Sequence, residues 1–378
     1  MKTVIVVGHV CVDLTPALDA PPGIEPGRLI QVGPLALSAG GCVGNTGLAL
    51  ASLGVPTQLV ASVGADGLGR ALVDLLAAFT ADVSGISRVD GRGTSYSIVV
   101  DVPGRDRTFW HHIGANAAFD GNGVVERVVA AGAANPGDSG DAILHLGYPT
   151  HLPALYADGG AGLIRLVSAA RSAGAIVSLD MAEIDPKSEA TAVDWESILA
   201  RTLPAVDVVK ASVDDLEAML PGRAGAGAGI APIAWADALV DFGAAVALVT
   251  AGADGLYLRT APAERMGTAA QPLREALPNW ASRELWAPPI ATHSVTTTGA
   301  GDTAAAGFLA GLAAGCGPAE SASLSSAAAA ARISGRPIGD AYDLAASCAA
   351  STTPARERSS GWWIGPDHVY RGPRDKEV

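Results

Sequence analysis

The stretch TTTGAGDTAAAGFLAGL, residues 296–312, decides how the chain is read. Gly299, Ala300 and Gly301 carry too little side chain to shield their own backbone. Asp302 then opens a run in which Ala305, Phe308, Leu309 and Leu312 recur at helical spacing. The run predicts a helix that stops at Gly315. A small-residue turn feeding a helix aims several unpaired N–H groups at one point, where the helix dipole adds partial positive charge, so the turn is a ready anion site. A carboxylate at the lip of such a hole repels the anion it would hold, which points to a reaction. With a phosphoryl group in the hole, Asp302 stands where a base takes the proton of an attacking hydroxyl. The other reading of an isolated G-A-G-D is an N-terminal cap with glycines for tight packing.

Two further stretches lie near the start. SAGGCVGNTGLALASLG, residues 38–54, places Gly40 and Gly41 before a helical stripe of Val43, Gly47, Leu50 and Ala51, with Asn45 in the first turn off that stripe. TVIVVGHV reads as a β-branched strand ending near Gly8, with Asp13 a few residues on. Ligands of open α/β sheets bind at the carboxyl ends of strands, and one carboxylate there accepts two hydroxyls of a sugar.

Together these stretches resemble the ribokinase-like (PfkB) carbohydrate kinases, whose C-terminal signature runs D-T-x-G-A-G-D, then small residues and Phe, and whose N-terminal signature is G-G-x-x-x-N. Weaker matches follow in order: V-G-x-D-x-x-G at residues 63–69, G-A-N at Gly114, Ala115 and Asn116, and T-x-G-x-x-G at Thr250, Gly252 and Gly255. The resemblance covers residues 1–340. It implies a three-layer α/β/α sandwich with a largely parallel central sheet and a small β lid built from about 14–38 and 92–116. Residues 341–378 form an extension that it does not reach.

The resemblance also implies ATP-dependent phosphotransfer to a hydroxyl of a sugar or related small alcohol. Asp302 would be the general base and Gly299, Ala300 and Gly301 the anion hole. Asp13, Gly40, Gly41, Asn45 and Asn116 would hold the substrate. Ser212, Thr250, Gly252, Gly255 and Thr298 would border ATP, and Asp215 would serve Mg2+ through water. Two positions depart from the family pattern. Thr296 replaces the leading Asp, which in the family helps to form a monovalent-cation site, so the potassium site that the resemblance implies lacks one of its residues here and potassium dependence stays open. Ser212 and Asp215 stand where the family has N-x-x-E. A nucleoside kinase of the same fold, with Phe109 or Trp110 as a base platform, and a non-catalytic sugar sensor remain alternatives. Intact Asp302 argues against the sensor. Exposed apolar lid faces often pair in this family, which implies a homodimer through the lid.

Composition agrees with this class. About half the residues are apolar, aromatics are scarce, and Ala, Gly, Val and Leu dominate, as suits a buried parallel sheet under small-residue helices. From residue 121 onward VVERVVAA, AILHLGYP, AGLIRLVSAARSAG and AIVSLDMA alternate helix and strand, the mark of a doubly wound sheet. PGRAGAGAGIAPIAW reads as a flexible insertion. Asp180 and Glu183 sit just past a strand end, where they either face magnesium or substrate or cap a loop. Among the lid's basic residues Arg105, Arg107, His111 and His112, solvated turn charges outweigh a reader of substrate phosphate.

A net charge of −13 with no Lys/Arg block excludes a nucleic-acid footprint. No stretch of about 18 residues is apolar enough to span a membrane, and MKTVIVV reads as a strand rather than a signal peptide, so a cytoplasmic protein is expected. Cys11, Cys42, Cys316 and Cys348 are widely spaced, as reduced packing thiols would be.

Overall fold

The computed structural model of the chain describes residues 1–23, 26–102, 107–134, 142–223, 231–347, 361–365 and 367–376. The central part of the Gly/Ala-rich insertion, Arg105 and Cys348 lie outside the described residues.

The main sheet is built on β1 (Val4–Gly8), every residue of which is buried. Parallel neighbours flank it: β4 (Thr57–Gly64) and β5 (Asp82–Val89) on one side, and β8 (Ile143–Gly147), β9 (Ile176–Asp180), β10 (Val208–Ser212) and β11 (Val246–Thr250) on the other. The alternation of β1 sorts its side chains into two cores. Val4 and Val6 join Leu50 of the Gly41–Ser52 helix and Phe308 and Leu309 of the Ala300–Ala314 helix. Ile5 and Val7 join Val128, Leu163, Ile198 and Leu239 from helices on the opposite face. Strands buried on both sides need no polar face, hence the unbroken VIVV of the sequence. This is the three-layer α/β/α sandwich that the resemblance implies, with helices on both faces of a mostly parallel sheet.

Beyond β11 the sheet turns antiparallel through β12 (Leu256–Thr260) and β13 (Glu284–Ala287). Residues past 340 complete it. Of the two short strands β14 (Trp363–Ile364) and β15 (Tyr370–Arg371), β15 pairs with β13 and carries β14 on its outer side. Side chains fasten this segment. Arg283 Nε lies 3.1 Å from both Asp375 oxygens, the Glu284 N–H donates to Asp375 at 2.9 Å, and Arg374 donates to Glu284 at 2.7 Å. Trp362 packs edge-on against Trp286 and Tyr257.

A separate four-stranded sheet runs β3 (Leu35–Gly40), β2 (Cys11–Pro16), β6 (Tyr96–Val100), β7 (Thr108–His112). The register sets Ser38, Asp13, Ser97 and His111 side by side on one face, and Leu37, Leu14, Ile98 and Trp110 on the other. The first row is polar and the second apolar. Only His9 and Val10 separate β1 from β2, so this small sheet grows directly from the carboxyl end of the central strand.

Candidate active site

Gly299 caps the Ala300–Ala314 helix at φ +71°, a conformation that costs a residue with a Cβ, and the helix ends at Gly315 with φ +81°, as its sequence predicts. The N–H of Ala300 turns back to Thr297 O at 3.2 Å, so it is occupied within the turn. Asp302, 3% exposed, receives three hydrogen bonds at its carboxylate. Tyr148 O–H and Thr46 O–H donate to Oδ1 at 2.6 and 3.3 Å, and Asn45 Nδ2 donates to Oδ2 at 3.0 Å. Asn45 and Asp302 lie 257 residues apart, so the N-terminal and C-terminal motifs meet side chain to side chain. A Cβ on Gly299 would stand 3.3 Å from the Asn45 amide, which gives that glycine a second reason to be small.

The Gly40–Gly41 pair makes room for two side chains. A Cβ on Gly40 would fall within 2.6 Å of the Asp13 carboxylate, and one on Gly41 within 2.4 Å of His9 Nδ1. Burial pushes the Asp13 carboxyl above its ordinary value; hydrogen bonds from Cys11 and Ser97 oppose the push and the charge of Asp302 adds to it. Asp13 is thus near enough to feel the charge of Asp302, which in turn bonds Asn45, so residues of both motifs gather at the root of the small sheet.

Asn116 has a different task from the one its motif suggested. It is fully buried, with Nδ2 donating to Val10 O at 2.8 Å and Oδ1 accepting from Val10 N–H at 3.2 Å. Both ends of the amide clamp the link between β1 and β2, so the side chain is committed to the root of the small sheet. Asp66 likewise works as a cap, accepting from the Gly69 N–H at 2.8 Å, and it also accepts from the Thr94 N–H at 2.8 Å.

On the other side of the helix N-terminus, Ser212 and Asp215 form a reciprocal capping box: the Asp215 N–H donates to Ser212 Oγ at 3.0 Å and the Ser212 N–H donates to Asp215 Oδ2 at 2.8 Å. One Asp215 oxygen is therefore committed to the cap. Thr250 ends β11 beside Ser212. Gly252 (φ +53°) opens to solvent, whereas a Cβ on Gly255 would strike Ala287 O at 2.4 Å. Thr298 accepts from Arg332 Nε at 2.8 Å and its N–H donates to Thr296 Oγ1 at 3.2 Å. Arg107, the residue before β7, donates to Thr296 and Thr297 and so ties the small sheet to the segment that leads into the Gly299–Gly301 turn.

Two residues enter the site without a motif. Tyr148 follows β8 in a left-handed conformation (φ +61°, ψ +53°) that is uncommon for a bulky side chain, and its N–H donates to Asp180 O at 2.9 Å. Burial pushes its phenol well up, and Asp302 and Asp180 add to the shift. Lys210, buried in β10, pairs with Asp180 at 2.9 Å, and its ammonium would lie 3.1 Å from a Cβ on Gly301. Burial works against that ammonium, but the carboxylates of Asp180, Asp215 and Asp302 outweigh it and keep Lys210 protonated. A fixed cation therefore stands beside the helix N-terminus. Its signal in the sequence is a single charge inside the otherwise apolar strand VVKAS.

Phe109 and Trp110, adjacent on β7, face opposite sides of the small sheet, and Trp110 belongs to the apolar row, where its side chain is exposed. Only Phe109 shares the face of His111. Among the described residues no helix is long and apolar enough to cross a membrane.

Comparisons with known proteins bear on the family and the fold. The profile of the pfkB family carbohydrate kinases matches residues 1–340. No curated protein matches the sequence. Among solved structures, a ribokinase from Thermotoga maritima is 18% identical with a TM-score of 0.65, over 91% of this chain and 99% of that one. Arabidopsis thaliana ribokinase complexed with ribose and ATP is 20% identical with a TM-score of 0.64, over 91% and 98%. The tetrameric inhibited form of Escherichia coli phosphofructokinase-2 is 19% identical with a TM-score of 0.65, over 91% and 97%.

Proposed function

The chain belongs to the pfkB family of carbohydrate kinases, and from that premise we propose that it transfers the γ-phosphoryl group of ATP to a hydroxyl of a sugar or related small alcohol, with Asp302 as general base. The observation that carries this reading is the Asn45–Asp302 contact, which brings the two signatures to one carboxylate.

In the proposed reaction Asp13 and the Gly40–Gly41 backbone hold the acceptor hydroxyls. Asp302 takes the proton of the attacking hydroxyl as its oxygen bonds to the γ-phosphorus, the bond from that phosphorus to the bridging oxygen breaks, and ADP leaves. Tyr148, Thr46 and Asn45 orient the carboxylate. Free N–H groups of the Gly299–Gly301 turn, the helix dipole and Lys210 favour the negative charge that gathers on the transferred group. Ser212, Thr250, Gly252, Gly255 and Thr298 line the side of the helix N-terminus on which ATP would lie.

The donors present suit Mg2+. Asp215 keeps one oxygen outside its cap, and a hard cation that retains several waters needs few protein carboxylates. When bound, magnesium supplies charge neutralisation at the phosphates. The same reading gives the small sheet the role of a lid that keeps water from the phosphoryl group, and gives its outer apolar row a second copy of the chain to pack against.

The test is ADP release from Mg-ATP across sugars, sugar phosphates and nucleosides, with Asp302→Asn alongside. We expect turnover on one sugar class and a fall of several powers of ten in the variant. Thermal stabilisation by a sugar without any turnover would overturn the catalytic reading in favour of a sensor.

A further inference from the structure

His9, Cys11 and His111 form a second cluster, at the joint between the main sheet and the lid, that the proposed phosphotransfer does not use. Their ligand atoms all lie within 4.8 Å of one another. His9 follows β1, Cys11 opens β2 and His111 ends the outer half of β7, so three separate elements contribute.

We propose that these three side chains bind one zinc-class divalent cation, which would fasten the lid strand β7 to the body of the molecule. The His9 and His111 Nε2 atoms are 3.3 Å apart. Two nitrogens bound at about 2.0–2.1 Å to a tetrahedral zinc are separated by about 3.3–3.4 Å, so the rings already stand at the edge length of such a site. Their present contact is a single hydrogen bond between two imidazoles, which the ion would replace. A thiol and two imidazoles are soft and borderline ligands that select zinc, cobalt or copper over magnesium.

Two of the three side chains already have an outer hydrogen-bond partner. Ser97 Oγ lies 3.0 Å from His111 Nδ1 and 3.8 Å from Cys11 Sγ. It can accept from the Nδ1–H of a metal-bound His111 while donating its own proton to the Cys11 sulfur. His9 Nδ1 lies buried against Gly41 with no hydrogen-bond partner among the described residues, so ligation through Nε2 would leave its Nδ1–H without an acceptor, and His9 would bind without the outer support that His111 has. Binding converts the Cys11 thiol to a thiolate and releases that proton to solvent. Asp13 Oδ1, which now accepts the S–H at 3.4 Å, loses this partner. Zinc would therefore disturb the residue placed at the acceptor hydroxyls; this inhibitory consequence rests on the proposed kinase reading, whereas binding itself does not.

The experiment uses the whole chain, stripped with chelator and titrated with zinc in excess Mg2+, with the metal environment read by X-ray absorption and cobalt as the optical substitute. One ion per chain, two nitrogens near 2.0 Å and one sulfur near 2.3 Å are expected. His111→Ala, on an exposed strand, should weaken binding at least tenfold, and Cys11→Ser should remove both the sulfur scatterer and the thiolate-to-cobalt absorption. Circular dichroism would verify that both variants fold. An ion bound without sulfur, or equal affinity in His111→Ala, would overturn the proposal. Zinc bound by these ligands in a protein that phosphorylates no sugar would leave the metal site standing and remove the kinase reading alone.

Discussion

Asp302 is oriented by its neighbours more than by its own helix: the Tyr148 phenol at 2.6 Å, the Asn45 amide and the Thr46 hydroxyl all donate to its carboxylate. Hydrogen bonds to a charged group are worth about 1.5–3 kcal/mol. Tyr148→Phe, which keeps the ring and loses the donor, should therefore lower kcat by roughly tenfold to a hundredfold while leaving KM for ATP nearly unchanged. An unchanged kcat in steady-state assays would mean that the phenol orients nothing. At this scale the sequence was readable where a residue type is forced by the backbone. Gly40, Gly41, Gly299 and Gly315 occupy positions where a Cβ would collide or a positive φ is required, and Asp302 and Asn45 sit at fixed offsets from them. Tyr148 and Lys210 were not readable as site residues, because the sheet's crossovers rather than local spacing bring them to Asp302. Asn116 had the right motif and a different partner: its amide is spent on Val10.

Among the elements, the strands and helices announced by period and by β-branched runs are where the alternation put them, and the β6–β7 pair follows from its hairpin pattern. The register of the small sheet then sorts polar and apolar residues onto opposite faces with no further instruction. Its outer row of Leu37, Leu14, Ile98 and Trp110 includes Leu37 at 44% and Trp110 at 46% exposure. If a second copy covers that row, the wild-type chain sediments as a dimer and Trp110→Asp as a monomer; identical sedimentation of the two would exclude this face as the interface. β14 and β15 escaped the sequence reading, since two-residue strands have no period and their partners are remote. What marks them is charge. Asp375 neutralises Arg283 inside the protein, and removing one member of a buried pair costs about 3–5 kcal/mol. Asp375→Ala should lower stability by about 3 kcal/mol in urea unfolding, and a loss within experimental error would show that the edge strands hold without it.

The molecule as a whole buries imidazoles near the centre of its sheet. His145 lies inside β8 with Ser178 Oγ 2.9 Å from Nδ1, and burial together with the Lys210 charge lowers its pKa to about 3. His9 is lowered as well, chiefly by burial. A histidine kept neutral by the fold binds its proton more readily once the chain unfolds. Stability is therefore complete above about pH 6.5 and declines as the pH falls from there toward the folded value, by about 1.4 kcal/mol per pH unit for each such group. Urea midpoints measured from pH 7 to pH 5 should fall steadily, and a flat profile would show that these rings are already charged in the fold. The Asn45–Asp302 contact has a consequence of another kind. It closes a loop of most of the chain, so the entropy of bringing two remote segments together stands behind the aim of one carboxylate. A change that parts the two ends of the fold would leave Asp302 without its Asn45 donor, however intact its own helix remained.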